Sequence, residues 1–477
     1  MGHIRLTLAM AACLLALGVL IQSQTQPPPV DPRDMTMSMP GTFTVASVGD
    51  LIIRRPASQS ADPAVRSALR HIREADLAVG NLEGSLSHLR QFDGPMNSFM
   101  GSHEVAADLK AMGFDMVNRA NNHLFDSEAV GMFATNALLD EAGVTHAGSG
   151  KNLDEAAAPA FLDLPAGRVA MVGMHTPTFV LHQRLAATHR NGNLAGRAGL
   201  NMLRYTETIL LSPRQLAALR QVRDELLDYQ GRYDNPRPMP VDEPADRLRF
   251  FASNSGREDP TYRAAGPGEV PGTVDYAMNE ADVTRILRSI RAAKTYADFV
   301  VATMHAHQGQ SVLERMHFGT HPPAFYVDLA HQAIDNGADV FVGHGVQMLR
   351  GIEIYKGKPI FYGLGEFFRE GQWALDVQTG MTDPTPQSTR QRFARAFDGT
   401  SQSLESLVAV TRYEAGALAE VRLHPVELGV DLPNSRLGIP RTASPELSRK
   451  ILERMQRLSR ELGTTIDING TEGVIRF

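Results

Sequence analysis

The chain has 477 residues, 43% hydrophobic and 21% charged, ordinary proportions for a soluble globular protein with a large core. Its net charge of −6, from 47 basic and 53 acidic residues, argues against a nucleic-acid partner, which needs a basic surface. The one cysteine, Cys13, lies in a targeting segment, so the remaining sequence has no disulfide, thiolate ligand or cysteine nucleophile.

Residues 1–26 read as a signal peptide or an N-terminal anchor. His3 and Arg5 precede an uncharged apolar run from Leu6 to Ile21, and polar Gln22 to Gln26 follows. The run is near the short limit for a bilayer core of roughly 30 Å. The expected localisation is export, to the periplasm or cell surface, or anchored to the membrane by this segment. Residues 27–42, rich in Pro and Met, read as a linker. One domain is expected over 43–477.

An alternating strand and helix pattern begins at Phe43. Val45 to Val48 is an apolar strand followed by Gly49-Asp50. Asp62 and Pro63 start a helix to Glu74, with Val65, Leu69 and Ile72 at helical spacing. Asp76 to Val79 is the next strand and leads to Asn81 and Glu83. A helix from His103 to Met112 stops at Gly113. The strand Phe114 to Val117 leads to Asn121-Asn122-His123. Ser127 to Glu141 reads as a helix with Val130, Phe133, Ala134, Ala137 and Leu138 on one face. Arg168 to Met174 is a buried strand.

Residues 177–275 break the rhythm. They hold one convincing helix, Ser212 to Tyr229, in sequence otherwise rich in Gly, Pro, Asn and Arg, and read as an insertion covering the site. The alternation then resumes. A helix from Glu280 to Tyr296 precedes a strand from Phe299 that delivers His305 and His307. A helix from Pro323 to Asn336 precedes a strand, Asp339 to Val342, that delivers His344 between two glycines. The region 376–477 reads as completing the same domain. It contains a hairpin (Leu407–Arg412 and Leu418–Leu423), a helix (Ser444–Leu462) and a closing hairpin (Thr465–Ile468 and Gly473–Phe477). The class is α/β.

Five apolar runs thus end in Asp, Glu, Asn or His. Any one of them has a bland explanation: a turn acid capping an amide, or a histidine on a half-exposed edge. Five together point to a shared site, because chemistry in α/β folds collects at the carboxyl ends of strands. Hard oxygens and neutral imidazoles suit a divalent metal, Mn, Fe, Zn or Mg, in a number the sequence leaves open. A histidine left free beside the metal could protonate a leaving group. The sequence has no GxSxG elbow, no phosphate loop ending in Lys-Ser/Thr and no HExxH helix; Gly148-Ser149-Gly150-Lys151 lacks the preceding glycine spacing.

These motifs resemble the CapA capsule-synthesis family, the poly-gamma-glutamate biosynthesis proteins with a metallophosphatase-like fold. The matching stretches are GDLI at Gly49, NLEGSLS at Asn81, ANNHLFD at Ala120 and LLDEAGVTHAGSGKNLDEAAAP from Leu138. HAHQG from His305 and GADVFVGHGVQMLRGIEIYKGKPIFYGLGEFF from Gly337 also match. The resemblance implies a four-layer αββα sandwich of the calcineurin-like metallophosphoesterase type. It places Asp50, Glu83, Asn122, His305 and His344 at metal-ligand positions and His123 at the leaving-group acid. Gln347 stands where the family usually has a second His, and Glu366 where it usually has Asn. Ile52 replaces the histidine of the superfamily Asp-x-His. His307, Gln347 and Glu366 are further candidates for metal or substrate contact.

The resemblance implies an exported protein acting in synthesis, transfer or release of an anionic surface polymer such as poly-gamma-glutamate, as a metal-dependent hydrolase or transferase. The alternative is a non-catalytic envelope protein that keeps the fold and binds polymer or partners. Expected partners are an anionic polymer or phosphorylated small molecule, and capsule-synthesis membrane proteins. Arg190, Arg197 and Arg204, seven residues apart in the insertion, read either as a solvated loop or as a lid. Arg197 and Arg204 are the expected substrate contacts, since a guanidinium grips carboxylates and phosphates bidentately.

Overall fold

The computed structural model describes residues 37–477, except 98, 179, 231–243, 250–260, 315–318, 371–401, 430–431 and 434–435. The targeting segment, most of the linker and the start of the C-terminal region at 376 lie outside the described residues. Among the described residues, no helix is long and apolar enough to cross a membrane. The class is mixed α/β, with several sheets and eight α-helices among the described residues.

The first sheet is built around β1 (Thr42–Ile52), β2 (Leu77–Leu82), β3 (Met116–Asn118) and β4 (Thr145–Ala147), all parallel and in that order. Helices α1 (Pro63–Arg73), α2 (Glu104–Met112) and α3 (Glu128–Ala142) connect them. Local chemistry sets these boundaries. Asp62 caps α1 by accepting from Ala64 N–H at 3.0 Å, and α2 ends where Gly113 takes φ 102°.

The second sheet contains β5 (Ala160–Leu164), β6 (Gly167–His175), β7 (Phe299–His305), β8 (Val340–His344), β9 (Ile352–Tyr355) and β10 (Lys358–Phe361). Their spatial order is β9-β10-β8-β7-β6-β5, with β6, β7, β8 and β10 parallel. Helices α4 (Glu280–Tyr296) and α5 (Ala324–Asp335) precede β7 and β8. The chain then returns to the first sheet. There β11 (Glu366–Arg369) lies parallel to the last residues of β1, and the hairpin β12 (Glu405–Glu414) and β13 (Ala417–Glu427) lines the first half of β1. Helix α6 (Pro445–Arg460) leads to β14 (Asp467–Asn469) and β15 (Glu472–Arg476), which extend the same sheet.

Strand alternation sends neighbouring side chains to opposite faces. Val45, Val79 and Met116 of the first sheet share one core with Met171, Val301 and Val342 of the second. On the first sheet's other face, Ala46, Ala78 and Val117 pack with Leu69 and Ile72 of α1 and Leu109 of α2. On the second sheet's other face, Val172, Val300 and Phe341 pack with Ile286 and Ile290 of α4 and Leu329 of α5. Burial on both faces explains why these strands read as continuous apolar runs.

Three local expectations differ from the structure. First, β1 does not stop before Asp50 but continues to Ile52, with register irregularities on either side of Asp50. Second, α3 buries another face. Val130 and Phe133 are exposed, whereas Gly131, Met132, Thr135 and Leu139 are buried. Polar anchoring decides this: the Thr135 hydroxyl accepts from Leu86 N–H at 2.8 Å, and a Cβ at Gly131 would meet Ser85 Oγ at 3.2 Å. Third, residues 177–275 hold more than a helix. Strands Tyr205–Leu211, Arg247–Arg249, Thr261–Ala264 and Val274–Met278 form a separate four-stranded sheet beside the helix Pro213–Gln230. Thr206, Glu207 and Thr208 interrupt the apolar pattern of the longest of these strands and hid it.

Candidate metal centre

Strand register builds the site. On the first sheet, Asp50 is paired with Asn81 of β2 on one side and Glu366 of β11 on the other. On the second sheet, His175, His305 and His344 are mutually in register on β6, β7 and β8. All six residues are buried. The bonds between Asp50, Asn81 and His305 join the two rows across the gap between the sheets.

Asp50 is the centre of this arrangement. Its Oδ1 accepts from Asn81 Nδ2 at 2.7 Å and lies 3.3 Å from His305 Nδ1. Its Oδ2 accepts from Gly345 N–H at 3.0 Å. Gly345 is required for that approach: it has φ 94°, and a Cβ there would fall 2.9 Å from Ala306 N. Ligand atoms of Asp50, His305 and His344 all lie within 4.8 Å of one another. On its other edge, His305 Nε2 sits 2.8 Å from Asn122 Oδ1 and 3.0 Å from His307 Nε2. The structure therefore gathers Asp50, Asn122, His305, His307 and His344.

Electrostatics and orphan atoms test whether a cation fits. Burial pushes the Asp50 carboxyl up, but His305, His344 and the Gly345 N–H outweigh it and hold the group below its ordinary range. Burial pushes Glu83 well up, and the neighbouring Asp50 and Glu366 carboxylates push it further. Burial raises Glu366 to about 7 against the pull of Arg369, its hydrogen-bonded partner. Burial lowers His344 to about 3. The Thr303 hydroxyl donates to Val342 O, so His344 Nε2–H donates to Thr303 at 2.6 Å. His344 Nδ1 then presents a bare lone pair with no partner in the protein, and Glu366 Oε2 is likewise buried without a partner. Crowded buried carboxylates and bare imidazole nitrogens are the chemistry a divalent cation satisfies.

Glu83 lies one step away from the two rows. It follows β2, and its Oε1 is 3.3 Å from His123 Nε2. His123 is held on three sides: Nδ1 is 2.6 Å from Asp126 Oδ2, Nε2 faces Glu83, and the ring stacks on Phe99 at 3.8 Å. The Asn121-Asn122-His123 triplet is thus divided by role. Asn121 donates to Leu82 O at 2.8 Å and Asn81 Oδ1 at 3.2 Å, which fixes the loop. Asn122 meets His305, and His123 meets Glu83.

Several contributors were assigned no role from the sequence. Asn81 is bonded by both Asp50 and Asn118, whose Nδ2 reaches Asn81 Oδ1 at 2.8 Å. Its position two residues before Glu83 was the available signal. Asp126, three residues after His123, could have been found by spacing. Arg119 is fully buried, and its Nη1 donates to both carbonyls that flank Glu83, Leu82 O at 2.7 Å and Gly84 O at 2.8 Å. Only the tertiary structure shows that role. His175 ends a strand that was expected to stop at Met174.

Among the described residues, the remaining candidates make no hydrogen bond to this cluster. Gln347 Oε1 is buried without a hydrogen-bond partner. Arg204 is engaged bidentately with Asp282 of α4, at 2.7 and 2.9 Å. Arg197 is exposed and donates to Ala186 O at 2.8 Å. Among the described residues, no hydrogen bond or ion pair joins Gln347, Arg197 or Arg204 to the Asp50 cluster.

Residues 44–370 match the family described as bacterial capsule synthesis protein PGA_cap. An uncharacterised protein of Sinorhizobium fredii is 36% identical over 458 residues, covering 91% of this chain and 93% of that one. The PGA biosynthesis protein CapA of Bacillus subtilis is 37% identical over 93 residues, 20% of this chain and 22% of that one. The capsule biosynthesis protein CapA of Bacillus anthracis is 22% identical over 379 residues, 78% of this chain and 69% of that one. The chain belongs to the bacterial capsule synthesis family.

Proposed function

We propose that this member of the capsule synthesis family is an exported, metal-dependent hydrolase or transferase that acts on an anionic surface polymer such as poly-gamma-glutamate. The observation that carries the reading is the buried Asp50, His305 and His344 cluster with His123 oriented beside it. The packing of two sheets, each with helices on its outer face, supports reading the fold as a four-layer αββα sandwich of the calcineurin-like type. Asp50, Glu83, Asn122, His305 and His344 would hold the metal, with His307 and Glu366 adjacent to them. The donor set of carboxylate, amide oxygen and imidazole suits Mn, Fe, Zn or Mg. A bound metal would supply Lewis-acid polarisation of a phosphoryl or carbonyl oxygen.

His123 serves as the proton donor to the leaving group. Asp126 at Nδ1 fixes the ring's tautomer and orientation, and Phe99 holds its plane. Arg197, exposed in the insertion, contacts the anionic polymer; Arg204 joins it only by exchanging its bond to Asp282. Capsule-synthesis membrane proteins are the partners that this context implies.

A second reading, a non-catalytic polymer-binding scaffold, is favoured by Ile52. This buried aliphatic side chain stands where the superfamily carries a histidine. One experiment separates the two readings. The full chain, loaded with Mn or Zn, is assayed for hydrolysis of phosphodiester and polyglutamyl substrates beside His123→Ala. Activity that is lost in the variant while metal content stays near wild type supports the enzyme. Polymer binding without turnover in either protein supports the scaffold.

A further inference from the structure

Gln308 directly follows His307, and its side chain is buried with both amide hydrogens in use. The Thr176 hydroxyl donates to Gln308 Oε1 at 2.6 Å. Gln308 Nε2 donates to Pro177 O and to the Tyr205 hydroxyl, each at 2.9 Å. A carbonyl only accepts, so the contact with Pro177 O fixes which end of the amide is which. The Tyr205 hydroxyl donates in turn to Pro177 O at 2.8 Å. Pro177 and Tyr205 belong to the insertion. One amide therefore ties the insertion to the segment that carries His305 and His307.

The bonds fall on both sides of His307. Before it, His305 O accepts from Thr176 N–H at 3.1 Å, and Ala306 N–H donates to His344 O at 2.9 Å. After it, the Gln308 side chain returns to Thr176, and Gln308 O accepts from Arg350 Nη2 at 2.6 Å. Arg350 is fully buried, and its Nε donates to Gly319 O at 2.8 Å, so one guanidinium joins residues 308 and 319. The start of the segment between them also extends the insertion's small sheet. Val274 N–H donates to Gln310 O at 2.9 Å, and Val312 N–H donates to Gly272 O at 3.2 Å. A loop tied only for its own stability closes on its own residues. Gln308 instead reaches out to Thr176, the residue that also holds His305 O.

We propose that Gln308 is a positioning residue, through which the insertion holds the His305–His307 segment in the place the metal centre requires. The proposal rests on the metal-dependent reading above, in which His305 is a ligand and His307 stands adjacent to it, their Nε2 atoms 3.0 Å apart. Metal–ligand distances tolerate errors of only about 0.2 Å, so a segment that supplies a ligand must be fixed on both sides. Thr176 shares this work, because it bonds to the segment at both His305 and Gln308.

The test uses the full chain stripped of metal and titrated with Co²⁺ alone. Visible absorption reports the geometry around the bound ion, and Tm of the metal-free protein is measured alongside. Gln308→Met keeps the side-chain length and loses the amide bonds. Thr176→Val keeps the shape and loses the hydroxyl, whereas Thr176→Ser retains it. Co²⁺ affinity is expected to fall about tenfold in Gln308→Met, with an altered absorption band. Thr176→Val should change in the same direction by less, and Thr176→Ser should match wild type. A Gln308→Met protein with lowered Tm but wild-type affinity and spectrum overturns the positioning role and leaves the metal-dependent reading intact. No Co²⁺ binding by wild type overturns both. Should Gln308→Met fail to fold, Thr176→Val decides on the same two readouts: a changed affinity and spectrum support the role, and wild-type values overturn it.

Discussion

Metal loading should stabilise the protein by an amount that depends on Asp50. A ligand that binds only the folded state, present at 100 times its dissociation constant, adds about 2.7 kcal/mol. Unfolding entropy is about 2.1 cal/mol/K per residue, so a chain of 477 residues has roughly 1 kcal/mol/K at its midpoint. The expected rise in Tm is therefore about 3 °C. Asp50→Asn keeps the side-chain shape but not the charge, and an amide offers only one acceptor oxygen. It cannot serve both Asn81 Nδ2 and Gly345 N–H as the carboxylate does. One buried donor loses its partner, which costs about 1–3 kcal/mol in the metal-free protein. The metal-induced rise should then fall below about 1 °C at the same metal concentration, because both the charge and the support of His305 are gone. Differential scanning calorimetry with and without Mn or Zn, with reversal by chelator, measures both effects. An Asp50→Asn protein that keeps the full rise would refute the placement of the ion beside this carboxylate.

Arg119→Met removes two hydrogen bonds made by a buried guanidinium and takes this donor from the Gly84 carbonyl, while Leu82 O keeps its bond from Asn121; loss of a buried charge offsets part of this. A net loss of about 1–3 kcal/mol is expected in urea unfolding, with weaker metal binding because Glu83 is no longer held. Arg197→Ala combined with Arg204→Ala should weaken polyglutamate binding and flatten its salt dependence; unchanged affinity and slope would return both arginines to a structural role. His424 of β13 stacks on His71 of α1 at 3.7 Å, and burial with the His71, Arg422 and Arg70 charges lowers it to about 3. Its folded pKa lies below the unfolded value near 6.5, so its stabilising contribution is complete above pH 6.5 and is lost as pH falls toward 3. Between pH 6.5 and 4.5 that loss is at most about 3 kcal/mol, and Glu472 at 3.4 Å reduces it, so wild type should lose about 2 kcal/mol more than His424→Gln. Parallel slopes for the two proteins would show that the histidine stack carries no such term.

Local rules made most elements legible, because each has a local cause. Ser444 begins α6 by accepting from Leu447 N–H at 3.2 Å, and Gly113 and Gly143 end their helices in the left-handed region. The turn at Ala415-Gly416, φ 48° and 81°, joins β12 to β13 where the sequence placed it. The buried face of α3 was not legible, because Thr135 and Gly131 outweigh the apolar stripe of Val130 and Phe133 through contacts with Ser85 and Leu86, distant in the chain. The strands of the insertion were hidden by polar residues on a small sheet with one poorly covered face.

The same distinction runs through the site. Asp50, Asn122, His305 and His344 were legible because each ends an apolar run, and strand ends converge whatever the rest of the fold does. What a sequence does not carry is register. Glu83 has the better ligand chemistry, yet Asn81 is the residue opposite Asp50, since β2 pairs with β1 at that position. Glu366 comes within reach only because β11 replaces β12 beside the last residues of β1, more than 300 positions later in the chain. His175 shows the limit most clearly. Nothing in Met174 and Thr176 beside it points to the site, and its place there depends on pairing with His305 across a gap of 130 residues. A search for metal-ligand residues along the chain finds members of both rows. Which residues stand opposite one another, and the hydrogen bonds that orient them, exist only once the strands are aligned.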